Sequence, residues 1–408
     1  MNKLNFIDCI QSKYKYTGEF YEGLAPVENH EGLYGFINKN GEEVVKCQYI
    51  DTLDFHSGLA AVKNKEGLWG YIDKEGKEVF PCQFLDVKNF SECLDIQLAP
   101  VMMNGGWTYI NKNGDQIVNK KFAFASEFSE GYAIVQPKLT QEYYFISGSG
   151  KIYGGYKYIE NFHNGLALVR DDENIYLINK QFDLIHKKSQ ESIRKKYTKI
   201  YRISNGLQIF KERKSGRIGY LDLNFNEKIS PSYTKGNDFC ENVAIIEIFD
   251  DFIGFVDLEG KTTIFSRKHQ YKNMNDFSEG LSVVENIDGL YGYINKEGKE
   301  VIPCQFKQAD NFREDLAGVI DTDGNFHYID KLGNIQFTID TIYSSLLELD
   351  DKTIYITATN EEEFKEKKLQ VLKLVKEELL SQVIDNIDNL AYDHTNGLYQ
   401  HIRVREKK

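Results

Sequence analysis

A repeat of about 35 residues constrains this chain more than any other feature of its sequence. Phenylalanine opens each unit, and Phe20, Phe55 and Phe90 follow one another at intervals of 35 residues. Nine such units lie between residues 20 and 351, and residues 1–19 resemble the back half of another. A unit of this length cannot bury its own apolar face, so neighbouring units must stack to form a core. The sequence therefore predicts one continuous repeat array over residues 1–351.

Each unit has the pattern of a β-meander. Residues 58–62, Gly-Leu-Ala-Ala-Val, form a short apolar run typical of a strand buried on both faces. Residues 69–73, Trp-Gly-Tyr-Ile-Asp, are rich in aromatic and β-branched side chains and predict a second strand. A third strand is predicted at residues 78–80, and a short fourth between Gln83 and Phe90.

The turn after the second strand is the strongest local signal. An Asn or Asp is followed three residues later by Gly, a pairing in which the Asx side chain caps the turn and glycine accepts a left-handed conformation. It recurs six times, at Asn38–Gly41, Asp73–Gly76, Asn111–Gly114, Asp257–Gly260, Asn295–Gly298 and Asp330–Gly333. Two central units depart from it, with Phe182 and Phe225 at the glycine place, and residues 186–199 form an insertion.

The segment 67–79, Gly-Leu-Trp-Gly-Tyr-Ile-Asp-Lys-Glu-Gly-Lys-Glu-Val, resembles the bacterial WG-containing repeat, which is related to the KWG repeat. The resemblance covers residues 20–351 and is strongest in the units that start at Phe20, Phe55 and Phe277. It implies a β-repeat module. It implies neither one activity nor a fixed set of functional residues.

The predicted fold is all-β, with tandem meanders arranged as propeller-like blades in either a closed ring or an open superhelical array. Residues 352–408 form either a degenerate repeat or a helix, followed by a final strand. For residues 361–390 two interpretations stay open, because Leu372, Val375 and Leu379 share one helical face while residues 370–375 also suit a strand.

Composition narrows the classes of function. The net charge of −12 disfavours specific nucleic-acid binding and binding to an anionic membrane surface. No apolar run approaches the ~20 residues of a membrane span, and no signal peptide is recognised, so we expect no membrane insertion and a cytoplasmic location. Cys47, Cys82 and Cys304 occupy equivalent places in separate units, so we expect reduced thiols. No cofactor or metal is predicted.

Two sets of residues are candidate binding sites. Aromatic side chains recur at the Trp-Gly place, namely Tyr34, Trp69, Trp107 and Tyr291, joined by Tyr143 and Phe326. If exposed, such a row stacks on sugars or peptides; if buried, it is core between repeats, which we favour.

The second set is basic. Residues 180–217 contain twelve Lys or Arg and three acids, a local excess of +9 in an acidic chain. The candidates within it are Lys187, Lys188, Arg194, Lys195 and Lys196. Such a segment either binds an acidic partner or a polyphosphate, or it is a solvated loop plus one diverged unit or an internal match for the acidic surface. Of these we favour the interpretations without a binding role.

The favoured function is a non-catalytic scaffold for a protein partner of unknown identity. The alternative is a module for a carbohydrate or cell-envelope ligand that uses the aromatic row. An enzyme ranks third, because residues 147–151 lack the remaining Walker positions and Asp321–Gly324 lacks the other ligands of a calcium loop.

Overall fold

The computed structural model describes residues 6–93, 96–339, 341–348, 352–358, 361–376 and 402–406. Contacts divide the chain into two compact units, Tyr16–Phe337 and the combination of Met1–Lys15 with Thr338–Lys408. In this described part of the chain the regular structure is almost entirely antiparallel strand, with two helices. The predicted all-β class of tandem meanders is therefore confirmed.

The larger unit consists of consecutive antiparallel meanders, which we call blades 1 to 9. In most of them the four strands are adjacent in chain order. Blade 1 contains the strands Tyr16–Thr17, Leu24–Glu28, Tyr34–Asn38 and Glu43–Tyr49. Blade 2 contains Asp51–Thr52, Ala60–Lys63, Trp69–Ile72 and Glu78–Phe84. Blade 3 contains Asp86–Val87, Ser91–Cys93, Ile96–Met103 and Gly106–Asn111. Blade 3 ends in an isolated bridge between Ile110 and Gln116. Its last strand also pairs with the first strand of blade 4 through Trp107 and Phe122.

The remaining blades follow the same plan. Blade 4 contains Phe122–Ala125, Tyr132–Pro137, Tyr143–Ser147 and Ile152–Tyr156. Blade 5 contains Tyr158–Ile159, Leu166–Arg170, Asn174–Asn179 and Leu184–Ser189. Blade 6 contains Tyr197–Ser204, Leu207–Glu212, Ile218–Leu221 and Glu227–Tyr233. Blade 7 contains Lys235–Gly236, Val243–Ile248, Phe252–Asp257 and Thr262–Ser266. Blade 8 contains Tyr271–Met274, Leu281–Asn286, Tyr291–Asn295 and Glu300–Phe306. Blade 9 contains Gln308–Ala309, Ala317–Ile320, Phe326–Ile329 and Ile335–Thr338.

The short strand predicted between Gln83 and Phe90 was assigned to the wrong sheet. The strand that begins at Glu78 continues to Phe84, and Asp86–Val87 is the first strand of blade 3. Pro81 is accommodated because this strand lies at the edge of its sheet, where no ladder hydrogen bond is required of its nitrogen. Each blade therefore starts a few residues before its phenylalanine.

The glycine of the Trp-Gly pair is required by close backbone approach. The pairing register shifts between Trp69 and Tyr71, which brings the bulged outer strand over Gly70. A Cβ atom on Gly70 would lie 2.5 Å from the carbonyl oxygen of Phe80. The same clash, with different backbone atoms, is found at Gly35 and Gly292. The repeat motif thus reflects a bulge that only glycine accommodates.

Buried tyrosines join neighbouring blades. Tyr71, in the middle of the second long strand of blade 2, donates its hydroxyl proton to the carbonyl oxygen of Lys88 in blade 3 (2.7 Å). Equivalent bonds run from Tyr109 to Ser126 (2.8 Å) and from Tyr293 to Asp310 (2.8 Å). The aromatic rings themselves fill the core between blades, where Tyr71 packs on Phe90 at 4.9 Å between centroids.

A second connection between blades is ionic. The carboxylate of Glu22 in blade 1 accepts the N–H of Gly58 (2.8 Å) and lies 3.3 Å from Lys74 Nζ, both in blade 2. The same arrangement recurs with Glu130 and Lys180, Glu241 and Lys296, and Glu279 and Lys331, at nitrogen–oxygen distances of 3.0 to 3.1 Å. We call this arrangement the glutamate–lysine link.

Blade 9 makes both of these contacts with blade 1. Glu314 accepts the N–H of Gly23 (2.9 Å) and lies 3.1 Å from Lys39 Nζ. Tyr328 donates its hydroxyl proton to the carbonyl oxygen of Gly18 (2.7 Å) and packs on Phe20 at 5.0 Å. The nine blades of this unit therefore close into a ring, and of the two predicted arrangements the closed ring is the one observed.

The described residues of the smaller unit form one sheet and one helix. Its strands, in sheet order, are Phe6–Ser12, Thr341–Glu348, Lys352–Ala358 and Ile402–Glu406, all antiparallel. The helix Glu361–Lys376 contains an ion pair between Glu363 and Lys367 at 2.7 Å. For residues 361–376 the helical interpretation was therefore the correct one; residues 377–390 lie outside the described part of the chain. Neither described helix has the length and apolarity to cross a bilayer.

Candidate binding surface

The insertion between blades 5 and 6 folds into a short helix, α1 (Gln190–Lys196), between two strands. The last strand of blade 5 continues to Ser189, and the first strand of blade 6 lengthens to Tyr197–Ser204. Ile193 anchors the helix in the core between these blades, next to Leu177 and Tyr197. We call residues 184–200 the basic insertion.

Polar contacts hold the C-terminal end of α1. Arg213 Nε donates to the carbonyl oxygen of Arg194 (2.7 Å), and the Arg213 N–H donates to that of Lys196 (2.9 Å). Lys196 also forms an ion pair with Glu227 at 2.7 Å. Arg194, Lys195 and Lys196 all lie in the last turn, where positive charge is favoured by the helix dipole. Three of the five predicted basic candidates therefore share one helical turn, whereas Lys187 and Lys188 lie on the preceding strand.

Most of these basic side chains are exposed. Lys187 extends over the ring of Tyr176 (5.5 Å to its centroid), and the half-buried Lys188 lies 6.0 Å from that of Phe225. Lys195 pairs with Glu191 of its own helix, at 2.7 Å and largely in solvent. Such exposed pairs contribute little energy, so their charges remain available to a ligand.

Two exposed apolar residues adjoin the basic ones. Leu184 and Ile185 are 57% and 50% exposed, and they begin the same edge strand that carries Lys187 and Lys188. An edge strand offers unpaired backbone groups, and exposed apolar side chains indicate a contact surface. The basic insertion therefore combines positive charge, apolar area and an open strand edge.

The aromatic row is mostly packed within the blades. Trp69 and Trp107 are each 7% exposed and belong to the cores on either side of blade 3. Lys63 and Lys88 cover their rings, with Nζ 5.4 and 5.8 Å from the centroids. Tyr34, Tyr143, Tyr291 and Phe326 are half-buried. The two tryptophans leave no open face for a sugar to stack on.

The two segments that partly match a Walker motif and a calcium loop, residues 147–151 and Asp321–Gly324, both lie in turns. Asp321 Oδ1 accepts the N–H groups of Asp323 and Asn325 (2.9 and 2.8 Å), and Oδ2 lies 3.0 Å from His327 Nε2. Residues 147–151 close the hairpin of blade 4. Within the described residues, no group of three His, Cys, Asp or Glu side chains is arranged to hold a metal ion.

Sequence reasoning did not identify the glutamate–lysine link, although its signal is present. The glutamate occurs in Phe-x-Glu and the lysine directly after the Asx of the turn, and both patterns recur in several units. Because the partners are separated by about one and a half repeats, as Glu22 and Lys74 are, only the stacked geometry shows that they meet.

Comparison with solved structures gives low-identity matches. BamB from Moraxella catarrhalis matches at 8% identity over 69% of this chain and 98% of its own, with a TM-score of 0.35. PorZ from Porphyromonas gingivalis, a surface component of the type-IX secretion system, matches at 9% identity over 87% of this chain and 58% of its own, with a TM-score of 0.30. No curated protein sequence shows a significant match.

A family model gives the specific result. The model described as the WG containing repeat matches residues 34–69, 69–107, 107–136, 152–174, 253–291 and 291–325. Matches meet at the first residue of the Trp-Gly place, at Trp69, Trp107 and Tyr291, as the repeat in the structure requires. The chain therefore contains six WG-containing repeats between residues 34 and 325.

Proposed function

We propose that this protein is a non-catalytic scaffold that binds an acidic protein partner through the basic insertion. The observation that carries the proposal is the placement of exposed Leu184 and Ile185 on the same edge strand as Lys187 and Lys188, beside the basic last turn of α1. A purely solvated basic loop would have no use for exposed apolar side chains. A protein partner can cover both kinds of group.

The rest of the ring supports a scaffold. Many carboxylates that could otherwise serve as catalytic acids or bases have structural roles instead. Asp73 accepts a backbone hydrogen bond in a turn, and Glu279 forms a glutamate–lysine link. Because blades 9 and 1 are joined like their neighbours, the ring is a stable platform from which the insertion projects. Charge on this platform is segregated, since the insertion is basic and the chain as a whole is acidic. Such segregation steers an acidic partner to one place.

The test is capture of partners from the lysate of the source cells by three purified proteins. The first is the wild type, and the second carries Lys187→Glu, Lys188→Glu and Lys195→Glu. The third is a control with the same change of net charge, Lys65→Glu, Lys77→Glu and Lys261→Glu, at exposed lysines of blades 2 and 7. The variant of the basic insertion leaves Arg194 and Lys196 in place, so α1 keeps its contacts with blade 6.

We expect an acidic protein to be retained by the wild type and the control, and to be lost by at least about tenfold with the insertion variant. Raising the salt to 0.5 M is expected to release it as well. Equal retention by all three proteins, or equal loss in both variants, would contradict the proposal.

A further inference from the structure

A cleft lies beside α1, between blades 5 and 6. Its volume is about 500 Å³, within the range of small-molecule sites. Tyr158 and Arg170 of blade 5 form one side, and Arg194, Tyr197 and Lys199 form the other. We call it the α1 cleft.

The charges that line the cleft are mainly positive. Arg170, Arg194 and Lys199 face it, together with one acid, Asp238. The resulting excess of two positive charges matches a phosphomonoester, which carries about −1.5 to −2 at neutral pH. Arginine is suited to this role because its planar fork donates two parallel hydrogen bonds to phosphate oxygens.

Arg170 is prepared for such a contact. Its guanidinium lies over the ring of Tyr158, 4.6 Å from the centroid, which fixes its plane. Its Nε is buried and has no hydrogen-bond partner among the residues that the structure describes. Buried donors in native proteins are normally satisfied, so this one calls for an acceptor. The Tyr158 hydroxyl donates to Glu160 (3.0 Å), so its ring position is also fixed.

The remaining walls are apolar and aromatic. Ile175 and Ile193 line the cleft beside the rings of Tyr158 and Tyr197. Ile175, Ile193 and Tyr197 are themselves buried, whereas Tyr158 is 42% exposed. A bare phosphate ion would leave the Tyr158 ring in water, whereas an aromatic group would cover it. We propose that the α1 cleft binds a phosphomonoester whose organic part is aromatic, with the phosphate on Arg170 and Arg194. This goes beyond the protein-binding proposal and does not depend on it, because the ligand is small and is tested with purified protein alone.

The experiment is calorimetric titration of the purified full-length chain with phenyl phosphate, compared with inorganic phosphate and with phenol. We expect phenyl phosphate to bind at least about tenfold more tightly than either fragment, since it uses both the basic groups and the aromatic wall. The source of the aromatic phosphate is then distinguished by adenosine monophosphate and a phosphotyrosine peptide. Tighter binding of either one supports the proposal and identifies the source.

Variants locate the site. Arg170→Gln is expected to weaken phenyl phosphate at least about tenfold, Arg170→Lys by less, and Lys214→Gln, an exposed basic residue of the next hairpin, not at all. Should Arg170→Gln fail to fold, as judged by circular dichroism, Arg194→Gln at the exposed face of α1 provides the same test. No binding of phenyl phosphate, affinity for inorganic phosphate equal to that for phenyl phosphate, or equal weakening by the cleft variants and Lys214→Gln would overturn the proposal.

Discussion

Single hydroxyl groups join the blades of this ring. Tyr109 is fully buried, and its hydroxyl donates to the carbonyl oxygen of Ser126 across the interface between blades 3 and 4. Phe36, Phe145 and Phe255 occupy the same strand position in other blades. The aromatic ring of the side chain is therefore sufficient for packing at this position. The tyrosine hydroxyl adds a hydrogen bond to a buried carbonyl that would otherwise lack a partner.

We expect Tyr109→Phe to lower the free energy of unfolding by about 1–2 kcal/mol, because it leaves a buried carbonyl without its donor. Urea denaturation followed by circular dichroism measures the change. Tyr144→Phe is the matched control, since its hydroxyl bonds to Glu142 near the surface and its loss should cost less than about 0.5 kcal/mol. Equal effects of the two variants would contradict this role of the buried hydroxyl.

Two phenylalanines replace the turn glycine without changing the turn. Phe182 and Phe225 have φ values of 65° and 59°, in the left-handed region that glycine occupies in the other blades. Phe182 stacks on Tyr153 at 4.3 Å, and Phe225 is 3% exposed in the core between blades 5 and 6. The strained backbone is retained because each ring fills space that a glycine would leave empty.

Phe225→Gly tests which of these effects is larger. Removing the strain contributes about 1–2 kcal/mol, whereas losing a buried phenylalanine costs about 3–5 kcal/mol. We therefore expect a net loss of about 1–4 kcal/mol in the free energy of unfolding, measured in urea. A variant as stable as the wild type would show that relief of the backbone strain fully offsets the lost packing.

The thiol of Cys304 is expected to react slowly. Burial, followed by the neighbouring Glu300 carboxylate, raises its pKa to about 12. Because the thiolate is the reactive form, labelling with a disulfide reagent at pH 8 should be at least about a hundredfold slower in the folded protein than in the unfolded chain. Mass spectrometry of the labelled peptide, with Cys304→Ser as the blank, measures the rate. Labelling at equal rates in both states would contradict the prediction.

At the scale of the element, the glutamate–lysine link makes stability depend on pH. Burial raises the pKa of Glu279, but N–H groups of Asp315 and Glu314 and the Lys331 ammonium outweigh this and leave the pKa below its ordinary value. Glu22, Glu130 and Glu241 are shifted in the same direction. A lowered folded-state pKa gives stability that is complete above the unfolded pKa of about 4.3 and is lost as the pH falls through the folded value.

We therefore expect the thermal midpoint to fall steeply below about pH 4.3, and Glu279→Gln to make that fall shallower while lowering the midpoint at pH 7. Differential scanning calorimetry between pH 3 and pH 7 measures both. Glu297→Gln, at an exposed turn position of blade 8, should leave the pH profile unchanged. An unchanged profile for Glu279→Gln would show that the link does not stabilise the ring.

The elements were predictable to the extent that their causes are local. The turn at Asn38–Gly41 follows from its sequence, since Asn38 Oδ1 accepts the N–H groups of Asn40 and Glu42 (both 3.0 Å). The boundary of the first strand of blade 3 was not predictable, because a two-residue strand is defined by its pairing with Val101 and Met102. Helix α1 was missed for a similar reason, since its stability depends on Ile193 entering the core between two blades.

At the scale of the whole molecule, the links are unevenly distributed around the ring. Leu223 and Leu258 occupy the lysine place in blades 6 and 7 and pack into the cores with their neighbours. Among the described residues, the interfaces of blade 6 with blades 5 and 7 therefore have apolar contacts, whereas the interfaces 1–2, 4–5, 7–8, 8–9 and 9–1 have the ionic link. The basic insertion and the α1 cleft lie at the first of these interfaces, so the candidate sites occupy the part of the ring that departs most from the repeat.

Ring closure itself was not predictable from the repeat. The number of blades per turn depends on the angle between neighbouring blades, which is set by many small contacts and not by any one motif. The contacts that close the ring, such as Glu314 with Lys39, are nonetheless of the same kind as those between consecutive blades. The structure therefore places residues almost 300 positions apart in direct contact.

The most direct test of the closed ring is zero-length carbodiimide cross-linking of the dilute protein, followed by peptide mass spectrometry. The pair Lys39 and Glu314 lies 3.1 Å apart across the closure, and Lys74 and Glu22 lie 3.3 Å apart between consecutive blades. A closed ring predicts that both intramolecular amide bonds form to a similar extent. Formation of the Lys74–Glu22 bond without the Lys39–Glu314 bond would contradict closure and would indicate an open array.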